Sequence, residues 1–340
     1  MAARALEEGK LIAFPTETVY GLGADAENPA AIAKIYAAKG RPANHPVIVH
    51  LAPEADVNYW TTFIPSEARK LIDAFWPGPL TLILKRASAI PDTVSGGQDS
   101  IGLRCPAHPV AQALLRAFKG GQGGIAAPSA NRFGHVSPTT AQHVRDEFVA
   151  GAGHVSPIAA ILDGGQSQVG IESTILDLSG LQQNGAPTLL RPGQISAAQI
   201  AEIIGRLPVE PTQAAPRASG TLDAHYAPQT PTLLLPASEL LPIAVRLAEQ
   251  GKRLALLPCS DSDLSRLPRT SIAGQHNMPA QAETYAHELY AALREADRVG
   301  ADLILVESPP TGAAWSGVND RLKRAAFSSV GILEKLVQGR

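Results

Sequence analysis

Two pairs of residues, Lys39 with Arg41 and Ser129 with Asn131, have the types and spacing to bind a phosphate-bearing ligand. Lys39 and Arg41 flank Gly40, which we expect to end a helix in the left-handed conformation. Arginine supplies a planar fork of N–H donors and lysine a compact charge, so the pair suits a polyphosphate; the alternative is a solvated helix end, where the helix dipole favours cations. Ser129 and Asn131 are interpreted as hydrogen-bond donors, because no Gly-x-Ser-x-Gly nucleophile elbow surrounds the serine.

A further segment, from Phe14 to Gly23, begins as an apolar strand and stops at polar and glycine residues. Pro15 lacks an N–H and ends the hydrogen bonding of the strand, so hydroxyls and a carboxylate occupy the following turn. Gly21 and Gly23 are predicted to let the backbone approach a ligand, because they carry no Cβ. The alternative is an ordinary glycine-rich turn between a strand and a loop.

Two arginines, Arg104 and Arg191, each end a strand-like segment. Ligands of open α/β sheets collect at the carboxyl ends of strands, so both side chains are predicted to face an anionic ligand. Ser137 is predicted to open a helix whose N-terminal N–H groups could bind an anion; a plain helix cap is the alternative. No set of histidine, carboxylate and hydroxyl stands out as a catalytic triad. The residues predict a site that binds and neutralises phosphates and a carboxylate.

Composition and missing motifs exclude several classes of protein. The 340 residues predict two domains, and a net charge of −2 gives no global attraction to nucleic acid or membrane. Two cysteines without a CxxC pattern disfavour a zinc site or a disulfide framework and fit a cytoplasmic setting. The sequence has no P-loop, no dinucleotide-binding glycine pattern at the first strand, no zinc-protease motif and no EF-hand loop. It also has no apolar stretch long enough to span a membrane.

The pattern of apolar residues predicts an α/β fold in two parts. A first domain over 1–206 is expected to contain strands at 11–14, 47–51, 80–85, 124–127, 158–162, 173–178 and 187–190, and helices at about 29–38, 66–75, 109–118, 139–149 and 197–205, the last capped by Ser196. A proline-rich linker or lid is predicted over 207–231. A small domain over 232–340 is expected to hold a parallel sheet, with strands at 232–235, 253–258 and 302–306 and helices at 238–249, 280–298 and 318–326.

Eight ordered segments of the chain resemble the YrdC-type threonylcarbamoyl-AMP synthases in their long form. The segments are Phe14 to Gly23, Lys39-x-Arg41, Trp76 to Thr81, Arg104 to Pro106, Ala127 to Asn131, Gly170 to Thr174, Leu190 to Gly193 and His225 to Pro228. The C-terminal residues Ala314 to Arg321 resemble the additional domain of the long form. The resemblance implies a YrdC-like twisted open sheet with flanking helices, followed by a smaller Rossmann-like α/β domain.

The resemblance also implies an activity and its partners. Enzymes of this family make L-threonylcarbamoyladenylate from L-threonine, bicarbonate or CO2 and ATP, with Mg²⁺ accompanying the ATP, and they release pyrophosphate. The product is passed to a tRNA-modifying threonylcarbamoyl transferase as the first step toward N6-threonylcarbamoyladenosine in tRNA. Stable nucleic-acid binding, membrane association and a metal site made by the protein alone are not expected.

By resemblance, site roles fall on defined positions of this sequence. The catalytic tetrad comprises Lys39, Arg41, Ser129 and Asn131. L-Threonine would contact Thr18, His50, Arg104, Ala127 and Ser173. ATP would contact Arg41, Ser100, Ser129, Ser137, Arg191 and Tyr226.

Two positions depart from the family pattern. His45 stands where many members have asparagine next to the nucleotide, and Ser219 to Ala224 lacks the Pro-Gly-Met-Lys-Tyr of some linkers. Two other functions remain open: an RNA-binding module, which the 5% aromatic content disfavours because it leaves no stacking residues beside the cations, and a carbamoyl-transfer domain, which the absence of zinc-finger cysteines disfavours.

Overall fold

The chain divides by its internal contacts into two units. The first comprises residues 1–133 and 137–221, and the second comprises residues 134–136 and 222–340. The computed structural model describes residues 1–148, 156–183, 185–213, 215–261, 264–329 and 331. The boundaries predicted from the sequence, with a separate linker over 207–231, stay a prediction, because the contacts assign 207–221 to the first unit and 222–231 to the second.

Nine strands of the described residues form one sheet in the first unit. They are β1 (Leu11–Phe14), β2 (Gly21–Asp25), β3 (Ile48–Leu51), β4 (Leu80–Lys85), β5 (Ser100–Arg104), β6 (Gly124–Ala126), β7 (Ile158–Ile161), β8 (Thr174–Asp177) and β9 (Thr188–Arg191). The order across the sheet is β7-β1-β2-β6-β3-β5-β4-β8-β9. The sheet is mixed: β3 with β5 and β4 with β8 are parallel, whereas β4 with β5 and β8 with β9 are antiparallel.

Six helices of the described residues accompany this sheet. They are α1 (Ala2–Glu7), α2 (Pro29–Lys39), α3 (Ser66–Phe75), α4 (Pro109–Ala117), α5 (Ala141–Phe148) and α6 (Ala197–Ile204). The helix over α2 begins because Asn28 accepts a hydrogen bond from the Ala31 N–H, and it ends at Gly40, whose φ of 63° is left-handed as predicted. Ser196 and Gln199 form a complete capping box on α6, which confirms the predicted cap. The end of the helix predicted over 139–149 lies outside the described residues.

The alternation of side chains along the strands separates the face of the sheet that carries Arg104 from the face that joins the main core. Along β5, Ser100, Gly102 and Arg104 point to one side, and Ile101 and Leu103 point to the other, where they join the main core. That core packs against residues of α2, α3, α5 and α6. Because paired residues share a face, the side of the sheet that carries Arg104 continues into β3, β4, β8 and β9.

The second unit has a parallel sheet, as predicted, but within its described residues the sheet has four strands rather than three. Its strands are β10 (Thr232–Leu235), β11 (Leu254–Leu257), β12 (Ile272–Gln275) and β13 (Leu303–Glu307), in the order β10-β13-β11-β12. Its helices are α7 (Ala237–Glu249), α8 (Ala282–Arg298) and α9 (Ser316–Ala326). No helix within the described residues is both long and apolar enough to cross a membrane.

The structure gives Gly21 and Gly23 a role in packing, and their predicted approach to a ligand stays a prediction. Both residues lie in β2, and a Cβ built on Gly23 would lie 2.8 Å from the side chains of Ile125 and Phe14. A Cβ on Gly21 would lie 3.2 Å from the Cβ of Ala127. Packing within the sheet therefore requires glycine at position 23, whereas a Cβ at position 21 would meet only tight contacts that small shifts can relieve.

Candidate functional site

Lys39 connects the end of α2 to the segment that carries Ser129 and Asn131. Its side chain is buried, and its Nζ donates to the backbone oxygens of Ser129 and Asn131, both at 2.5 Å. The N–H of Phe133 donates to the Lys39 oxygen at 2.8 Å. Burial, followed by the nearby Arg41 charge, holds the pKa of Lys39 well below its usual value. The structure thus brings these predicted residues together.

Arg41 lies just beyond the left-handed turn at Gly40. Its Nη2 donates to the Pro46 oxygen at 2.8 Å and to the Ser219 hydroxyl at 3.2 Å, and its guanidinium lies 5.8 Å from the ring centroid of Phe133. The His45 ring packs edge-to-face on the same phenylalanine, with centroids 5.4 Å apart. Burial and the Arg41 charge lower the pKa of His45, so a neutral imidazole is favoured beside the arginine.

The turn between β1 and β2 is connected by hydrogen bonds to the segment around Ser129. The Ala130 N–H donates to the Tyr20 oxygen at 2.8 Å, and Gly21 forms an isolated antiparallel bridge with Ser129. Within the turn, the hydroxyls of Thr16 and Thr18 lie 2.8 Å apart, and Thr18 is fully buried. The turn that carries these hydroxyls is therefore connected to the tetrad's Ser129 through Tyr20 and Gly21.

His50 and Arg104 are neighbours on β3 and β5 and share one face of the sheet. The His50 ring packs edge-to-face on Phe14, with centroids 6.0 Å apart. Burial, followed by the Arg104 charge, lowers the pKa of His50 to about 3, so the imidazole is neutral. Its Nδ1 is buried and has no hydrogen-bond partner within the part of the chain that the structure describes. Ala127 is held beside β3 by its N–H, which donates to the Ile48 oxygen at 2.9 Å.

Arg104 lies in a buried ion pair that the sequence did not reveal. Its Nη2 is 2.6 Å from Oε1 of Glu17, both side chains are 4% exposed, and its Nε donates to the Gly78 oxygen at 3.2 Å. A Cβ on Gly78 would lie 2.3 Å from the Phe75 oxygen, so the turn after α3 needs glycine there. Glu17 belongs to the Phe14 to Gly23 motif, and its carboxylate is the signal that could have identified it.

Arg191, which is predicted to contact ATP, forms hydrogen bonds with Ser173, which is predicted to contact L-threonine. Its Nε and Nη2 donate to the Ser173 oxygen at 3.1 and 2.9 Å, its Nη2 also donates to the Ser173 hydroxyl at 3.2 Å, and its Nη1 donates to the Ser219 oxygen at 2.8 Å. The Thr81 hydroxyl lies 2.8 Å from the Ser173 hydroxyl. Ser219 therefore receives hydrogen bonds from both Arg41 and Arg191, which brings these two cations to the same residue.

The segment that carries Ser219 packs over this face of the first unit. Ala215 and Ala218 contact an apolar cluster that contains Ile48, Ile83 and Ile175. The Arg217 N–H donates to the Gln98 side chain at 2.7 Å, and the Ser219 hydroxyl donates to the Pro46 oxygen at 2.9 Å. The sequence described this stretch only as part of a linker, because its contacts are with residues of other strands and loops, from Arg191, 28 positions away, to Pro46, 173 positions away.

The helix predicted to begin at Ser137 does not begin there. The helix starts at Ala141, and the Ser137 hydroxyl donates to Oε1 of Glu172 at 2.5 Å. Both side chains are buried. The Ser137 side chain therefore contacts the carboxylate of the Gly170 to Thr174 motif instead of capping a helix. Sequence reasoning quoted Glu172 within its motif but gave it no role.

Ser100 and Tyr226 each lie in surroundings of their own. Ser100 begins β5 and Arg104 ends it, which separates them by about 13 Å along the strand. Tyr226 belongs to the second unit, where it is buried between the rings of His225 and Tyr290, with centroids 4.1 and 5.8 Å away, and 5.4 Å from the Arg321 guanidinium. Its contact with ATP stays a prediction.

The reasoning that located Arg104 and Arg191 also needs correction. Both arginines do end strands, but the sheet is mixed, so it has no single carboxyl edge at which ligands would collect. What gathers the residues is the shared face of β3, β5, β4, β8 and β9. Among the residues that the structure describes, no group of three or more His, Cys, Asp or Glu side chains is arranged to hold a metal ion.

Comparison with known proteins gives matches along almost the whole chain. A family model described as "Telomere recombination" matches residues 4–193, and a model described as "Threonylcarbamoyl-AMP synthase, C-terminal domain" matches residues 195–327. The chain is 35% identical to the threonylcarbamoyl-AMP synthase of Pyrococcus abyssi, over 96% of this chain and 93% of that one. It is 38% identical to the threonylcarbamoyl-AMP synthase of Bacillus subtilis, over 97% of this chain and 93% of the relative.

A solved structure agrees with these sequence matches. The crystal structure of P. abyssi Sua5 complexed with L-threonine superposes with a TM-score of 0.85 at 35% identity, covering 96% of this chain and 93% of that one. The fold similarity therefore extends over both units, and the L-threonine in that crystal belongs to the P. abyssi protein.

Proposed function

The chain belongs to the threonylcarbamoyl-AMP synthase family, and on that premise we propose how its first unit joins L-threonine, bicarbonate or CO2 and ATP into L-threonylcarbamoyladenylate with release of pyrophosphate. The reaction is the first step toward N6-threonylcarbamoyladenosine in tRNA. The observation that carries the proposal is the position of Ser219, which receives hydrogen bonds from both Arg41 and Arg191. Two cations held this close can bind one polyphosphate from two sides.

We place ATP against the cations on one side of Ser173 and L-threonine on the other. The nucleotide phosphates would contact Arg41, Arg191, Ser129 and Ser137, with Ser100 and Tyr226 as further predicted contacts. L-Threonine would contact Thr18, His50, Arg104, Ala127 and Ser173. Arg191 supports this division because it donates to the Ser173 hydroxyl and oxygen, so a guanidinium assigned to ATP touches a residue assigned to L-threonine.

The residue types suit a reaction that depends on neutralising negative charge on the substrates more than on proton transfer. The amine of threonine and CO2 form a carbamate that is already anionic, and this anion must approach an α-phosphate that also carries negative charge. Fixed cations in a water-poor site lower that repulsion, and removing one preorganised donor of this kind costs about 3–4 kcal/mol of barrier in characterised enzymes. Holding both reactants in line contributes further, up to about 7–11 kcal/mol in the best aligned systems.

Three further residues, His50, Lys39 and Thr81, are proposed to shape the site around the substrates. His50, with its pKa lowered to about 3, presents a neutral ring to the amino acid and adds no charge beside Arg104. Lys39 fixes the Ser129 to Asn131 segment through two backbone carbonyls, so we propose that it both shapes the site and supplies charge. Thr81 supports Ser173 through the contact between their hydroxyls.

Mg²⁺ is expected to arrive with ATP. The Ser137 hydroxyl and the Glu172 carboxylate are adjacent buried oxygen groups on the proposed phosphate side, and Mg²⁺ in proteins takes oxygen ligands from one or two carboxylates together with substrate phosphates. These two residues therefore fit the ion. When bound, Mg²⁺ would neutralise phosphate charge and favour departure of pyrophosphate.

We also propose that the protein works in the cytoplasm and passes its product to a tRNA-modifying threonylcarbamoyl transferase. Stable binding of nucleic acid is not part of the proposal. Titration with tRNA separates it from the RNA-binding alternative, because an RNA-binding module would bind without threonine and lose affinity steeply with salt. Carbamoyl phosphate offered in place of threonine and bicarbonate tests the carbamoyl-transfer alternative.

The test is release of pyrophosphate that depends on both threonine and bicarbonate. Lys39→Ala and Arg41→Ala are each expected to lower the rate by at least about a hundredfold, because the first removes the anchor of the Ser129 to Asn131 segment and the second removes a fixed cation. Lys119→Ala is the matched control, since Lys119 pairs with Asp25 and Glu27 outside the site. Normal rates in both tetrad variants would remove the tetrad from the mechanism.

A further inference from the structure

The carboxylate of Glu17 contacts Arg104, which we assign to L-threonine, and the proposed reaction gives this carboxylate no role. Its Oε1 is 2.6 Å from Arg104 Nη2, and its Oε2 accepts a hydrogen bond from the Ala107 N–H at 3.0 Å. Its backbone oxygen accepts from the Val169 N–H at 2.7 Å. Glu17 is 3% exposed, so one segment fixes a buried carboxylate through Arg104 and Ala107, and a second fixes its backbone through Val169.

The contacts of Arg104 determine which of its donors remain for a ligand. Its Nε is directed to the Gly78 oxygen and its Nη2 to Glu17. Nη1 makes no hydrogen bond to any residue in the described part of the chain. The planar guanidinium is thus held along two of its edges, and the Nη1 end is left as a donor in a fixed direction.

We propose that Glu17 is a positioning residue that turns Arg104 toward the carboxylate of the amino-acid substrate. This inference rests on the proposed function, because it assumes that Arg104 binds L-threonine. A long arginine side chain has many rotamers, and the ion pair selects one of them before the substrate arrives. Glu17 also compensates the buried charge of Arg104, which would otherwise be unpaired in the free enzyme.

The surroundings of Glu17 support an electrostatic role in addition to a structural one. Burial, followed by the Glu17 charge, raises the pKa of the neighbouring Cys105 thiol to about 12, and Arg104 acts in the opposite direction. The Glu17 carboxylate and the Arg104 guanidinium therefore shift the pKa of the same thiol in opposite directions. The competing interpretation is that Glu17 only anchors the turn between β1 and β2 to Ala107 and Val169.

Binding of L-threonine and of L-threoninamide, which lacks the carboxylate charge, separates the two interpretations. In Glu17→Gln one carboxylate oxygen becomes an NH2 donor, so either Arg104 or Ala107 loses its acceptor. We expect wild-type protein to prefer L-threonine over L-threoninamide, and Glu17→Gln to reduce that preference by about tenfold. The KM for ATP should stay within about twofold of wild type, since Glu17 contacts none of the residues assigned to ATP.

Glu27→Gln is the matched control, because Glu27 pairs with Lys119 and accepts a hydrogen bond from Tyr59 away from the site. An equal loss of affinity for both ligands in Glu17→Gln, or an equal rise in both substrate KM values, would show a purely structural role and overturn the inference. If Glu17→Gln does not fold, Glu17→Asp, which retains both acceptor oxygens on a shorter side chain, is measured in the same way. Wild-type protein that binds no L-threonine would overturn the proposed function instead.

Discussion

Replacement of Gly23 by alanine tests whether the glycines after the first strand serve packing or a ligand. A Cβ at position 23 would lie 2.8 Å from Ile125 Cγ2 and from Phe14 Cε1, distances that real Cβ atoms almost never reach. Overpacking of this kind costs about 1–3 kcal/mol of folding free energy, whereas a glycine to alanine change without strain gains about 0.4–1 kcal/mol through the unfolded chain. We therefore expect Gly23→Ala to lower the free energy of unfolding by about 1–2 kcal/mol.

Gly21→Ala is the matched control on the same strand. Its Cβ would lie 3.2 Å from the Ala127 Cβ and 3.4 Å from the Phe14 ring, contacts that small shifts can relieve. We expect its free energy of unfolding to stay within about 1 kcal/mol of wild type. Urea unfolding measures the difference, and hydrogen exchange of the β1 and β2 amides assigns it to the first unit.

Gly23→Ala should also disturb threonine more than ATP. The Phe14 ring that the new methyl group would push packs on His50, which is assigned to the amino acid. A rise in the threonine KM that accompanies the loss of stability is the expected pattern. If Gly23→Ala kept wild-type stability and lost ligand binding alone, the packing explanation would be refuted and the ligand-approach interpretation restored.

Three further predictions concern His50, Arg191 and magnesium. His50 has a folded pKa of about 3 against 6.5 in the unfolded chain, so its contribution to stability is complete above pH 6.5 and lost as pH falls toward 3. His50→Gln should remove about 1.4 kcal/mol per pH unit from the pH dependence of the unfolding free energy between these limits, and an unchanged slope would refute the buried neutral state. Arg191→Lys loses the planar fork that reaches both Ser173 and Ser219, and we expect the KM for ATP to rise by at least about tenfold, whereas Arg116→Lys in an exposed pair should have little effect. Chelation with excess EDTA should stop pyrophosphate release, Mg²⁺ should restore it, and Ser137→Ala should raise the Mg²⁺ concentration for half-maximal activity; a wild-type requirement in Ser137→Ala would remove this serine from the proposed ion site.

Local signals in the sequence predicted much of the fold. Gly40 and Ser196 ended and began their helices as expected, because helix caps depend on one or two residues and need no tertiary information. Apolar periodicity identified most strands and the parallel sheet of the second unit. It missed β2, whose two glycines read as a loop, and β12, which is only partly buried at the end of its sheet.

The parts that could not be predicted depend on pairing between distant segments. Which strands of the first unit pair, and in which direction, is decided by contacts between distant segments. The sequence therefore could not show that the sheet is mixed or that the site lies on one of its faces. The alternation of Ser100, Gly102 and Arg104 was the available signal for that face. The Glu17 partner of Arg104 and the Ser219 contacts with Arg41 and Arg191 span many positions, and no local pattern indicates them.

The central claim is that the first unit joins the carbamate of L-threonine to the α-phosphate of ATP between fixed cations. The most direct measurement is mass spectrometry of the nucleotide products formed from ATP, L-threonine, Mg²⁺ and ¹³C-bicarbonate. We expect an adenylate whose mass includes threonine and one labelled carbon in wild-type protein, and none with Arg41→Ala. A nucleotide product without the label, or an equal amount of labelled adenylate from Arg41→Ala, would contradict the claim.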